Sequence, residues 1–188
     1  MANDFAITTV ILAGGQGSRI GGNKALQILR GRPLIDWVFD AVRPQSAEVL
    51  ISANENKPAY AYLECPVIAD HLPGYAGPLA GLQAAMQQAG CELILSVPCD
   101  TPFLPHNLIG QLAAALGDAE AVVAVVEGRR QPTVALYRKS VLSKLDAYLA
   151  AGERKVGGWL DTLRVHEVIF GETSAFININ TQLELKEL

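Results

Sequence analysis

Little in this chain supports disulfide, zinc or membrane-spanning chemistry. Its 188 residues hold three cysteines, Cys65, Cys91 and Cys99, an odd number with no C-x-x-C pair, which argues against a disulfide scaffold or a zinc site. Such thiols read as buried residues in a reducing cytoplasm. The three histidines, His71, His106 and His166, never share a helix face at ligand spacing. The longest apolar runs, AEAVVAVV and CELILSV, fall well short of the roughly 20 residues that cross a bilayer, so no membrane role is expected. An early acid and no Lys or Arg before Arg19 make the opening stretch unlike a signal peptide. The formal net charge of −4 argues against a bulk-basic nucleic-acid binder, although a local basic pocket stays open. Seventeen Gly and ten Pro are too scattered for a collagen-like or disordered chain. With no linker, repeat or shift in composition, residues 1–188 read as one domain.

What is present is an alternation of strand-like and helix-like segments. FAITTVIL, EVLISA, PVIA, CELILSVP, AEAVVAVV, QPTVALY, VHEVIF and AFINI read as strands. PLIDWVFDAV, GPLAGLQAAMQQAG, PHNLIGQLAAAL and VLSKLDAYLAAGERKVGGWLDTL read as helices, the last broken near Gly152. TQLELKEL closes as a helix with Thr181 as N-cap. This order predicts a three-layer α/β/α sandwich around a mainly parallel central sheet. Sheets of that kind take ligands at the carboxyl ends of their strands, which directs attention to the loops after Leu12, Ser52, Ala69 and Val97.

The loop after the first strand, LAGGQGSRIGGNKAL, packs five glycines into nine residues together with Arg19 and Lys24. Backbone N–H groups there can face phosphate oxygens without side-chain obstruction. Residues 1–32 carry four basic residues against one acid, an inversion of the overall balance that favours an anionic ligand. The dinucleotide fingerprint fails because Ile20 replaces its third glycine, and the P-loop fails because Asn23 and Ala25 stand where Lys and a hydroxyl are needed. The plain alternative is a surface loop with two solvated cations. Asp100, in SVPCDTPFLP, lies just past the most apolar strand, where a carboxylate can hold Mg²⁺; a turn or helix-capping aspartate is the alternative there. Asp70 and His71 are neighbours, but adjacent side chains on an extended chain diverge, and no Ser or Cys sits in a nucleophile elbow.

With LAGGQGSRIGGNKAL, DHLPGYAGPLAG, PCDTPFLP and FININT in this order, the chain resembles the molybdenum cofactor guanylyltransferases from Thr9 almost to its end. The resemblance implies a Rossmann-like nucleotidyltransferase fold and transfer of GMP from Mg-GTP to the terminal phosphate of molybdopterin. By motif, Leu12, Ala13 and Gly14 would line the nucleotide, with Gly15 and Arg19 near its phosphates. Lys24 matches the phosphate-contacting lysine, Asp70 a nucleotide-site aspartate and Asp100 the Mg²⁺ ligand; Arg19, Lys24 and Asp100 are the expected catalytic set. Gly77, Pro78, Leu79 and Gly81 would shape the base pocket, and Asn178 and Asn180 the pterin side. Arg154 and Lys155 are candidates for the pterin phosphate or a partner, or two cations of a solvated helix face.

Two positions depart from the family pattern. Asn23 stands where Asp is common, and Ser52 replaces the first Asn of an N-A-N stretch whose second is Asn54, leaving open which contacts the nucleotide. The resemblance further implies a cytoplasmic enzyme whose partners are molybdoenzymes, their chaperones or other cofactor-synthesis proteins. The competing readings are a cytidylyltransferase on the same pterin, a sugar-phosphate nucleotidyltransferase, and a non-catalytic GTP-binding adaptor.

Overall fold

Strands β1 (Ile7–Leu12), β4 (Glu48–Ser52), β5 (Val67–Ile68), β6 (Leu93–Pro98), β7 (Ala121–Val126), β8 (Arg129–Arg138) and β9 (Val165–Ile169) form one seven-stranded sheet in the order β5-β4-β1-β6-β8-β7-β9. β2 (Ile28–Leu29) and β3 (Arg32–Pro33) pair as a separate short hairpin. The computed structural model describes residues 6–14, 23–55, 57–72 and 77–187. Pairing is parallel throughout the large sheet except along β8, which runs against both β6 and β7. The exception has a local cause. Glu127 and Gly128, both at positive φ, join β7 to β8 by a two-residue turn, and a loop that short connects only antiparallel neighbours.

β1 and β6 are buried on both faces, as their near-continuous apolar sequences require. On one face α1 (Leu34–Val42) and α3 (Leu108–Ala114) pack with Ile7, Ile11, Leu95 and Val97. α1 buries Leu34, Ile35, Val38, Ala41 and Val42, a stripe at helical spacing. On the other face α2 (Pro78–Gln88), α4 (Leu142–Ala150) and α5 (Val156–Leu160) cover Val10, Ile94 and Tyr137. Three layers result, as the alternation predicted. Two strand polar groups that enter these layers find partners: Thr8 donates to Glu48 at 2.6 Å, and Ser96 to the Thr133 carbonyl at 2.9 Å.

Three local expectations change. Pro33 sits at the N-cap of α1 rather than inside its first turn, because it also pairs with Ile28 in the β2–β3 hairpin. PVIA contributes only two residues to the sheet, at its edge. AFINI is not a strand: Thr173–Phe176 form a 3-10 turn, and the Ile179 N–H bonds the carbonyl of Asp100, a loop residue. The apolar residues there serve anchoring instead. Ile179 is fully buried against Leu29 and Leu34 while Asn178 and Asn180 on either side stay exposed.

The last helix, α6 (Gln182–Glu187), begins in a capping box. Thr181 Oγ accepts from the Glu184 N–H at 3.2 Å, and the Glu184 carboxylate accepts from the N–H groups of Asn180 and Thr181. Those donors, the Asn180 amide first, hold the Glu184 carboxyl below its ordinary value of 4.5. A lowered folded-state pKa stabilises the fold above that ordinary value, and the contribution vanishes as pH falls through the lowered value. Amide exchange at Asn180 and Thr181, corrected for intrinsic rates, is therefore expected to accelerate on acidification below about 4.5 in the native chain, and to be fast at every pH in Glu184→Ala.

Gly81 sits in α2 where the helix presses onto β4. A Cβ built there would lie 2.1 Å from Ser52 Oγ and 3.2 Å from Ser52 Cβ. Gly81→Ala is expected to destabilise the protein by about 1–3 kcal/mol in denaturant unfolding, the usual cost of overpacking, and adding Ser52→Ala should recover part of the loss.

Candidate active site

β4, β1 and β6 are adjacent and parallel, so the segments that follow them emerge side by side at one end of the sheet. Two backbone bonds continue the pairing past the strands: Ala13 N–H to the Ser52 carbonyl at 2.8 Å, and Cys99 N–H to the Leu12 carbonyl at 3.2 Å. They hold the first residue of the glycine loop and the residue before Asp100 in sheet register. With β5 beside β4, the strand ends span roughly 14 Å at about 4.8 Å per strand.

At the β1–β6 side the Lys24 ammonium makes an ion pair with Asp100 and a 2.6 Å hydrogen bond to Asn180 Oδ1. The two charged side chains are 19% and 14% exposed, screened enough from water for the pairing to matter yet open to a ligand. Lys24 opens a 3-10 turn, Lys24–Leu26, whose N-cap Asn23 accepts from the Ala25 N–H at 3.1 Å. The Asn23 amide in turn donates to Tyr60 Oη at 2.6 Å. Asn178 accepts from the buried Thr101 hydroxyl at 2.6 Å, tying the FININT segment to the Asp100 loop a second time.

Asp100 Oδ1 is buried and has no hydrogen-bond partner among the described residues. An orphaned carboxylate oxygen suits a hard cation, which costs less to satisfy with a metal than to leave bare. Among the described residues no cluster of three or more His, Cys, Asp or Glu could complete a metal site, so a cation here would take its remaining ligands from substrate oxygens and water. Cys99 next door is buried, and burial above all pushes its thiol up to about 12. It is packing, not a nucleophile.

At the β4–β5 side Asn54 and Asp70 form a closed pair. Asn54 Nδ2 donates to the Asp70 carboxylate at 2.7 Å, and the Asp70 N–H donates to Asn54 Oδ1 at 2.9 Å. His71 is exposed and makes no part of it. Ser52, by contrast, is 5% exposed and tucked under Gly81, so of the two N-A-N positions only Asn54 keeps a partly open side chain.

Of the base-pocket candidates, Pro78 is exposed at the start of α2, Leu79 is fully buried in the core and Gly81 is the contact with Ser52. Leu12, Ala13 and Gly14 run along the strand ends, Gly14 near the Ser52 carbonyl. Arg154 spends its guanidinium on the carbonyls of Leu149 and Glu153, at 2.8 and 2.6 Å, closing the end of α4. Its own carbonyl stands beside Gly77, whose φ of +80° starts the GPLAG turn. Gly15 and Arg19 lie outside the described residues. Tyr60 had no signal in the sequence, since it belongs to no motif, and Thr101 stands inside PCDTPFLP with nothing there to mark its hydroxyl as a partner of Asn178.

Comparison with known proteins bears on this geometry. Residues 9–167 match the model of the MobA-like NTP transferase domain. A molybdenum cofactor guanylyltransferase from Cupriavidus pinatubonensis is 43% identical over 188 residues, covering 96% of this chain and 94% of the relative. The solved molybdopterin-guanine dinucleotide biosynthesis protein A from Archaeoglobus fulgidus superposes with a TM-score of 0.78 at 27% identity, over 96% of this chain and 95% of that one. A 4-diphosphocytidyl-2C-methyl-D-erythritol synthase from Anaerococcus prevotii reaches a TM-score of 0.77 at only 17% identity, over 97% and 94%. Backbone shape alone therefore does not separate these transferases, whereas sequence does. On the family model and the shared sequence together, the chain belongs to the MobA-like nucleotidyltransferases, among the molybdenum cofactor guanylyltransferases.

Proposed function

We infer that this chain, acting as one nucleotidyltransferase domain, transfers GMP from GTP to the terminal phosphate of molybdopterin and releases pyrophosphate. The observation that carries the site assignment is the Lys24 ammonium held between Asp100 and Asn180 at the strand ends, beside a carboxylate oxygen with no other partner. The guanylyltransferase relatives support the choice of base and acceptor.

In this reading the molybdopterin phosphate attacks the α-phosphorus in line. Two polyanions must meet, so the main task is to neutralise charge rather than to move protons. Lys24 does this from a fixed position, and Arg19 in the glycine loop adds a second cation. Asp100 is the residue that would hold Mg²⁺, which when bound to phosphate oxygens supplies further neutralisation. The attacking phosphate is already deprotonated near neutral pH, so no general base is needed. Leu12, Ala13, Gly14 and Gly15 offer backbone to the nucleotide, and the N-terminus of α2 at Pro78 presents its positive end to the same anion.

Asp70 positions the nucleoside with Asn54. Asn178 and Asn180 face the pterin side, with Arg154 at its rim. Cytoplasmic residence, and hand-over of product to molybdoenzymes, their chaperones or other cofactor-synthesis proteins, complete the proposal.

Pyrophosphate release with GTP, Mg²⁺ and molybdopterin tests the transfer. Asp100→Ala is expected to abolish turnover with the fold retained, and Lys24→Ala to lower it by about ten- to a thousandfold, the worth of one charged contact to developing charge. Full Mg²⁺-dependent activity in Asp100→Ala, or a loss below about twofold for Lys24→Ala, would reassign these residues.

Calorimetric titration is expected to show GTP bound in preference to CTP and ATP. Preference for CTP would keep the mechanism and overturn the base. GTP binding without any pyrophosphate release would favour an adaptor.

A further inference from the structure

Tyr60 is fully buried in the core layer that also contains Ala25, Ala53 and Cys99, yet it comes from the 3-10 segment Lys57–Leu63, much of which is exposed. A buried tyrosine in place of phenylalanine implies work for its hydroxyl. That hydroxyl accepts from Asn23 Nδ2 at 2.6 Å, while Asn23 Oδ1 accepts from the Ala25 N–H at 3.1 Å. The Asn23 side chain is thus held at both ends, and Lys24 is the residue between the two anchor points. Further backbone bonds, Leu26 N–H to the Asn23 carbonyl and Gln27 N–H to the Lys24 carbonyl, both 3.2 Å, complete the turn. A long cationic side chain has many rotamers and loses them only when its base is fixed.

We propose that Tyr60 is a positioning residue for nucleotidyl transfer: through Asn23 it fixes the turn from which Lys24 reaches Asp100, Asn180 and the substrate phosphates. The link tolerates either residue at position 23. An asparagine donates its amide to the tyrosine oxygen, as here, whereas an aspartate would accept a hydrogen bond from the tyrosine hydroxyl. In this chain Asn23→Asp would therefore reverse the direction of one hydrogen bond and leave the clamp in place. The inference rests on the assignment of Lys24 made under Proposed function.

The test is Tyr60→Phe, which keeps the ring and removes the oxygen, measured in native and Lys24→Ala backgrounds. Expected is a drop in kcat of about two- to tenfold, the worth of one neutral hydrogen bond, with GTP affinity within about twofold and no further drop in Lys24→Ala. An unchanged kcat, a loss confined to affinity, or an equal loss in both backgrounds would overturn the proposal, the last being what a merely structural role produces.

Asn23→Ala removes the link from its other end. It should lower kcat similarly, with Tyr60→Phe adding nothing to it; additive losses would also overturn the proposal. Amide exchange at Ala25 reads the clamp without substrate and is expected to accelerate in Tyr60→Phe. Failure of the native chain to release pyrophosphate would strike the transfer reading, whereas unchanged Ala25 exchange would strike the clamp itself.

Discussion

An ammonium and a carboxylate from residues 76 apart in sequence meet at the end of the sheet, and most of the surrounding architecture serves that meeting. Two charges partly withdrawn from water are stable only if their approach is well defined and their other hydrogen-bonding capacity is answered. Each partner accordingly has its own restraint. Asp100 follows β6 in register because Cys99 bonds back to Leu12. Lys24 rises from a capped turn clamped to the buried Tyr60. Asn180, the third contact, is brought over by burial of Ile179 against Leu29 and Leu34 and by the capping box of α6. The ion pair leaves one Asp100 oxygen unanswered, which is where the chemistry has room to enter.

The rest of the site follows from strand order. Placing β1 between β4 and β6 sets Ala13 and Gly14 in the middle, with the Lys24–Asp100 group on one side and the Asn54–Asp70 pair on the other. In the proposed site a polyphosphate along the strand ends would meet the Lys24 ammonium toward β6. An acidic protein can bind such a ligand because the field that matters is local. The antiparallel β8 lies beyond β6, with β7 and β9 beyond it in turn, and Ser96 of β6 donates to its Thr133 carbonyl.

Much of this was legible in advance. Period-2 runs, Pro and Gly punctuation and the strand–helix alternation identified the layers, because those signals are local and each is decided by burial of one face. Asp100 stood out because an acid directly after the most apolar strand has only one end of the sheet to occupy. AFINI misled because a short apolar run records that some of its residues are buried, not that the neighbour is another strand. Ile179 satisfies the pattern against a hairpin and a helix instead. The Glu127–Gly128 turn, which reverses β8, is too short to stand out beside the hydrophobic runs it connects.

By itself, the sequence determined the class of fold and the family, both of which rest on residues near one another along the chain. Tertiary structure alone decided which side chains meet. Lys24 with Asn180 spans 156 residues and Asn23 with Tyr60 spans 37, and no periodicity carries such pairings. They exist because the strand order and the burial of a few side chains, Ile179 and Tyr60 among them, bring those polar groups within reach of one another. The same packing put Ser52 under Gly81 and left Asn54 to hold Asp70.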